Sequence, residues 1–169
     1  ESVLKEMMEY SRAYEPTLTE KDLLQIIEEI LSGLDDFFRE KNIDVLREFP
    51  QRPVLLALEM DGISKIFEQV FKNAVSMIGP IGGRVTVSVQ PMDQPGEVLI
   101  SVSDNGRQIP DDIRDALLDS NPSAKTFEGG LGMPLARKII EAHSGRIKIE
   151  ERADRGNTVN IYLPITERG

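Results

Sequence analysis

Strict alternation around Val98, Ile100 and Val102 runs straight into Asp104-Asn105-Gly106. Such a run is a half-buried strand ending in a tight turn, so this chain needs an apolar layer against one face of a sheet. It also delivers a carboxylate to the mouth of that sheet, where burial without a partner is costly. A carboxylate only accepts hydrogen bonds, so the partner must be a donor: a ligand's amino group, a backbone amide or ordered water. Asp104 is therefore a candidate base-reading residue, although Asp-Asn-Gly also makes an ordinary turn.

The apolar layer is legible upstream. Ile63, Ile66, Phe67, Val70, Phe71, Ala74 and Met77 recur at three and four residues, which makes residues 62–78 a helix with one broad buried face. Gln69 and Asn73 lie four apart at the edge of that stripe. An amide oxygen there could ligate a hard cation such as magnesium, which is commonly shared with substrate phosphates; two solvated polar residues would give the same pattern. Downstream, Gly129, Gly130 and Gly132 precede a helix over 131–143 with Leu135, Ala136, Ile139 and Ile140 inward. Glycines before a helix N-terminus let backbone amides approach an anion, and Pro134 suits the first turn.

Taken in order, these features resemble the ATP-binding catalytic domain of sensor histidine kinases, within the superfamily that includes gyrase, the large heat-shock chaperone and the MutL ATPases. The resemblance covers about residues 3–164. Lys72-Asn73-Ala74 resembles the end of the N box, Asp104 to Pro110 the G1 box, and Gly130-Leu131-Gly132-Met133 the G2 box. Residues 155–164 resemble the closing strand. The resemblance implies an α+β fold of the Bergerat type, a two-layer sandwich in which a mixed sheet is covered on one face by three helices. It implies ATP and Mg2+ as ligands. Asn73 would bind magnesium, with Gln69 a second candidate. Asp104 would accept from the adenine amine, and Gly106 would let the turn pass close to the base. Gly130, Leu131 and Gly132 would present the G2 loop to the phosphates, Lys125 would face them, and Thr158 would complete the adenine pocket.

Four departures stand beside the matches. Gln69 occupies the first N-box position, where an amide cannot serve as a general base. Gln108 replaces the second glycine of the usual Asp-x-Gly-x-Gly turn, Glu128 stands where the G2 loop commonly begins with glycine, and Leu118 to Lys125 lack the expected F-box phenylalanines. These motivate a second expectation, a degenerate fold serving as a non-catalytic interaction module. An anti-sigma-type serine kinase is a third.

Composition narrows the partners. The 169 residues carry a net charge of −9, which argues against general nucleic-acid affinity. With no cysteine, disulfides and thiol chemistry are excluded. The apolar runs are too short to span a bilayer. The resemblance implies a cytoplasmic fragment with no direct membrane contact, any anchor lying elsewhere in the parent protein.

Residues 1–16 read as the tail of a dimerisation and phosphoacceptor helix with its linker, and 17–169 as the catalytic domain. Thr17-Leu18-Thr19-Glu20 is a capping-box pattern for a helix over about 18–40. Strands are expected at 43–49, 54–59, 84–90, 98–103, 146–151 and 159–163, with a lid over 110–130. His143, the one histidine, ends a helix before Ser-Gly and reads as a cap rather than a phosphoacceptor. The expected acceptor is then a histidine on a hairpin outside this chain, and the expected onward partner a response-regulator receiver domain.

Overall fold

The computed structural model describes residues 15–92, 96–110, 132–152 and 155–165. Strand β1 (Thr19–Asp22) leads into helices α1 (Leu23–Gly33) and α2 (Asp35–Glu40). Strands β2 (Ile43–Glu48) and β3 (Leu55–Leu58) follow, then helix α3 (Met60–Ile78). The chain continues through β4 (Gly83–Met92) and β5 (Glu97–Asp104) to α4 (Gly132–Ala142), β6 (Arg146–Glu151) and β7 (Asn157–Pro164). Five strands form one mixed sheet in the order β2-β4-β5-β7-β6, with β2 and β4 parallel and every other neighbour antiparallel.

Register explains why one face is dry. Val87, Val102, Val159 and Ile149 pair across four strands, and Val89, Ile100, Ile161 and Ile147 form the next row. All eight are buried beneath the helices, because successive side chains of a strand alternate between faces. The opposite face is polar: Ser101 Oγ donates to Asn160 Oδ1 (2.7 Å), and the Arg146 guanidinium lies over the Tyr162 ring, 4.1 Å from its centroid. Helix α3 fills the layer with Phe67 and Phe71 stacked at 5.9 Å, and Phe38 of α2 meets Phe71 edge-on. Among the described residues no helix is long and apolar enough to cross a membrane.

The first helix departs from expectation. Thr19–Asp22 is a strand paired antiparallel with Leu55–Leu58, forming a separate two-stranded sheet. Asp22, rather than Thr17, caps α1: its Oδ1 accepts from Leu24 N (3.1 Å) and also from Val54 N (3.2 Å). Pairing with β3 satisfies the backbone groups of 19–22 that a helical start would leave unbonded. The helical stretch then breaks at Gly33-Leu34, where a residue of poor helix propensity ends α1. Strand β3 accordingly stands outside the main sheet. The expected N-terminal helix tail and the 110–130 lid lie outside the described residues, apart from Pro110.

Candidate functional site

The apolar row pattern changes character at its last step. Two positions beyond Val102 and Val159, the inward-facing pair is Asp104 opposite Asn157, with Val85 on the other side of Asp104. Both polar side chains are buried, Asp104 at 2% exposure and Asn157 at 1%. Asp104 Oδ1 accepts from Gly106 N at 2.9 Å and from Asn157 Nδ2 at 3.4 Å. Burial pushes the Asp104 carboxyl up to about 6; the Gly106 amide, the Asn157 side chain and backbone, and the Arg152 charge pull in the other direction.

The turn that follows is fastened from three sides. Arg107 N donates to the Met77 carbonyl at the end of α3 (2.9 Å), and Asn105 Oδ1 accepts from Arg84 N (2.8 Å). Gly106 lies so close that a Cβ there would come within 2.3 Å of Met77 O. Gly156, at φ +99°, is equally confined, because a Cβ would meet the Asp104 carbonyl at 1.9 Å. Gln108 does not adopt a positive φ. Its Nε2 instead donates to Arg152 O at 2.9 Å, so the residue that replaces the usual glycine ties the turn to the β6–β7 end.

Thr158 is not beside Asp104. It pairs with Ser103, and the two hydroxyls hydrogen-bond at 2.9 Å on the polar face of the sheet. The physical reason is the period of two: Asn157, Val159, Ile161 and Leu163 face inward, so Thr158 faces out. Asn157, not Thr158, is the residue of this strand that faces Asp104. The alternation Asn-x-Val-x-Ile-x-Leu, counted back from the buried end of the strand, was the signal that could have found it.

Asn73 lies on α3 with 6% exposure, and its Oδ1 has no hydrogen-bond partner among the described residues. An orphaned buried carbonyl oxygen is unfavourable by about 1–3 kcal/mol. A hard cation would satisfy it, so the donor fits magnesium. Gln69, half-buried, lies one helical turn earlier. Gly132 is the first residue of α4; Lys125, Gly130 and Leu131, with Glu128 and the F-box stretch, lie outside the described residues.

His143 is buried at the C-terminal end of α4. Its Nδ1–H donates to Ile139 O (2.9 Å), while Nε2 accepts from Glu59 N (3.1 Å) at the N-cap of α3. Since a backbone N–H is donated to Nε2, the partners assign the proton to Nδ1. The side chain caps one helix and joins it to the start of another.

A mixed sheet under one helical layer, with a buried carboxylate at the mouth of β5 and a buried amide on the adjoining long helix, makes an α/β sandwich with a polar site at the end of its central strands. Residues 58–167 match the model of the family described as "Histidine kinase-, DNA gyrase B-, and HSP90-like ATPase", and the chain belongs to that family. It is an ATP-binding catalytic domain of the histidine-kinase type. Over 147 residues it is 29% identical to the adaptive-response sensory kinase SasA of Microcystis aeruginosa, covering 85% of this chain and 38% of that kinase. The chain thus spans well under half the length of the curated relatives it matches. Among solved structures, histidine kinase ThkA in complex with the response regulator TrrA superposes with a TM-score of 0.82 at 25% identity, over 98% of this chain and 47% of that one. Full-length ShkA in complex with AMPPNP superposes with a TM-score of 0.85 at 18% identity, over 99% and 36%.

Proposed function

We propose that this chain binds Mg-ATP and presents the γ-phosphate to a histidine carried on a dimerisation hairpin outside it. The observation that carries the reading is Asp104: a buried, acceptor-only group at the mouth of the sheet, with the hydrogen bonds from Gly106 N and Asn157 Nδ2 both drawn to Oδ1. Oδ2 would accept from the adenine amine, and Gly106 would let the backbone lie against the base. Asn73, with Gln69 as a second ligand, would hold magnesium jointly with the phosphates; bound magnesium neutralises charge on the transferring group. Lys125, Gly130, Leu131 and Gly132 are assigned to the phosphates by sequence pattern, helped by the positive end of α4.

In the transfer, an imidazole nitrogen of the acceptor would form the new N–P bond as the bond from Pγ to the β,γ-bridging oxygen breaks and ADP leaves. The imidazole proton would pass to a base outside this chain, because Gln69 and Asn73 are amides and cannot take it. This domain's contribution is positioning and charge compensation. Residues 1–16 would be the end of the hairpin helix, and 17–169 the catalytic unit. A receiver domain would then accept the phosphoryl group, in keeping with the regulator-bound ThkA complex. The protein would work on the cytoplasmic side.

The test is to incubate the chain with γ-labelled ATP, magnesium and the hairpin of the parent kinase. Label on the hairpin that survives alkali and is lost in acid is expected. Acid-stable, alkali-labile label would instead mark a serine kinase, and absence of label with nucleotide bound would favour the interaction module.

A further inference from the structure

We propose that Asn157 is a positioning residue for base recognition: its side-chain amide fixes one oxygen of Asp104 and closes the 104–109 turn, so that the other oxygen selects adenine over guanine. The proposal rests on Asp104 as the base acceptor. Asn157 is the cross-strand neighbour of Asp104, and every arm of its amide is engaged in the turn. Nδ2 donates to Asp104 Oδ1 at 3.4 Å and to the Arg107 carbonyl at 2.9 Å, while Oδ1 accepts from Ile109 N at 2.9 Å. Both amide hydrogens are committed, so this side chain has no donor left for a base. It acts through Asp104.

Its effect on the carboxylate is specific. Gly106 N and Asn157 Nδ2 converge on the same oxygen, which fixes the carboxyl rotation and leaves Oδ2 to be read. The outer side of the turn is held by Gln108 Nε2 on Arg152 O (2.9 Å) and Arg155 Nε on Gly106 O (3.2 Å), neither of which touches the carboxylate. Adenine presents an amine at the ring position where guanine presents a carbonyl. An ionised carboxylate can accept from the first and can offer nothing to the second; a protonated one could donate to guanine. Selectivity therefore needs the group both fixed and ionised, and hydrogen bonds donated to a carboxylate favour its ionised form. Among the described residues, the charged groups on the segments around it are Arg107 in the turn, Arg84 at the start of β4, Glu151 at the β6 position paired with Asn157, and Arg152 and Arg155 at the β6–β7 end, whereas α3 meets the turn through the Met77 carbonyl.

The test compares the wild-type chain with Asn157→Ala, the near-isosteric Asn157→Asp, and Gln108→Ala as a control that loosens the turn without touching Asp104. Carbon-13 NMR would follow the Asp104 carboxyl titration in the nucleotide-free protein, and ATP and GTP would compete for a fluorescent ATP analogue. Both Asn157 variants are expected to raise the Asp104 midpoint, by about one unit for Asn157→Ala and more for the added like charge of Asn157→Asp. Both should reduce the ATP-over-GTP preference by about tenfold or more. Gln108→Ala, which frees only the Arg152 backbone carbonyl, should weaken the two nucleotides equally and move the midpoint much less than Asn157→Ala does. Asn157 variants that lose affinity for both nucleotides alike, with an unmoved midpoint, would overturn the proposal. Wild-type protein that binds neither nucleotide would overturn the reading of the site itself, and the NMR midpoints would then decide separately whether Asn157 fixes the carboxylate.

Discussion

At the residue scale, Asp104 sets ligand recognition against stability. Its ordinary pKa of 3.8 is raised to about 6 in the fold, burial being the main cause, so the folded state binds the proton more tightly than the unfolded chain does. Stability associated with this group is complete below pH 4 and is lost as pH rises through about 6, a decrease of up to about 3 kcal/mol. Asp104→Asn should therefore melt several degrees higher than wild type at pH 8 and lose that advantage near pH 4, as a calorimetric pH series would show. The same titration gives ATP affinity a lower bound in pH. Binding should weaken as pH falls through about 6, because the neutral acid has lost its best acceptor. Asn73 carries a related expectation: its Oδ1 is already unpartnered among the described residues, so Asn73→Ala should cost less than about 1 kcal/mol in urea denaturation while abolishing magnesium enhancement of nucleotide binding. Thr158, expected from the resemblance to lie at the base site, instead faces Ser103 on the other side of the sheet. A motif aligns residue types, but the pleat decides which of two neighbours faces Asp104, and here it is Asn157.

Among the elements, α3 organises the helical layer. Its Phe71 packs on Phe67 and Phe38 with no exposed surface, and Phe71→Ala should lower unfolding free energy by about 3–5 kcal/mol in urea titration. His143 links α4 to the start of α3 through two backbone groups. His143→Ala would leave Glu59 N and Ile139 O without these partners, at an expected cost of about 1–3 kcal/mol. The long helices and the five sheet strands were legible because their periodicity is strong and one-sided. The strand at 19–22 is not legible locally, because a Thr-x-x-Glu capping pattern is local, whereas pairing with Leu55–Leu58 is made by residues over thirty positions away. Tertiary hydrogen bonding of the backbone overrode a local signal worth about 1 kcal/mol.

For the molecule as a whole, the order of three short motifs fixed the family, and the sheet register joined two of them: the inward row that ends β5 and begins β7 is the place where apolar packing gives way to Asp104 and Asn157. Net charge of −9 does not oppose nucleotide binding, because local amides and cations act at contact distance while distant charge is screened over about 10 Å. The central claim is that this carboxylate reads a nucleotide base. Calorimetric titration of the chain with a non-hydrolysable ATP analogue, with and without magnesium and beside Asp104→Asn, tests it most directly. Binding that strengthens with magnesium and disappears in a folded Asp104→Asn protein is the expected result; no binding up to millimolar nucleotide, or binding indifferent to Asp104, would contradict it.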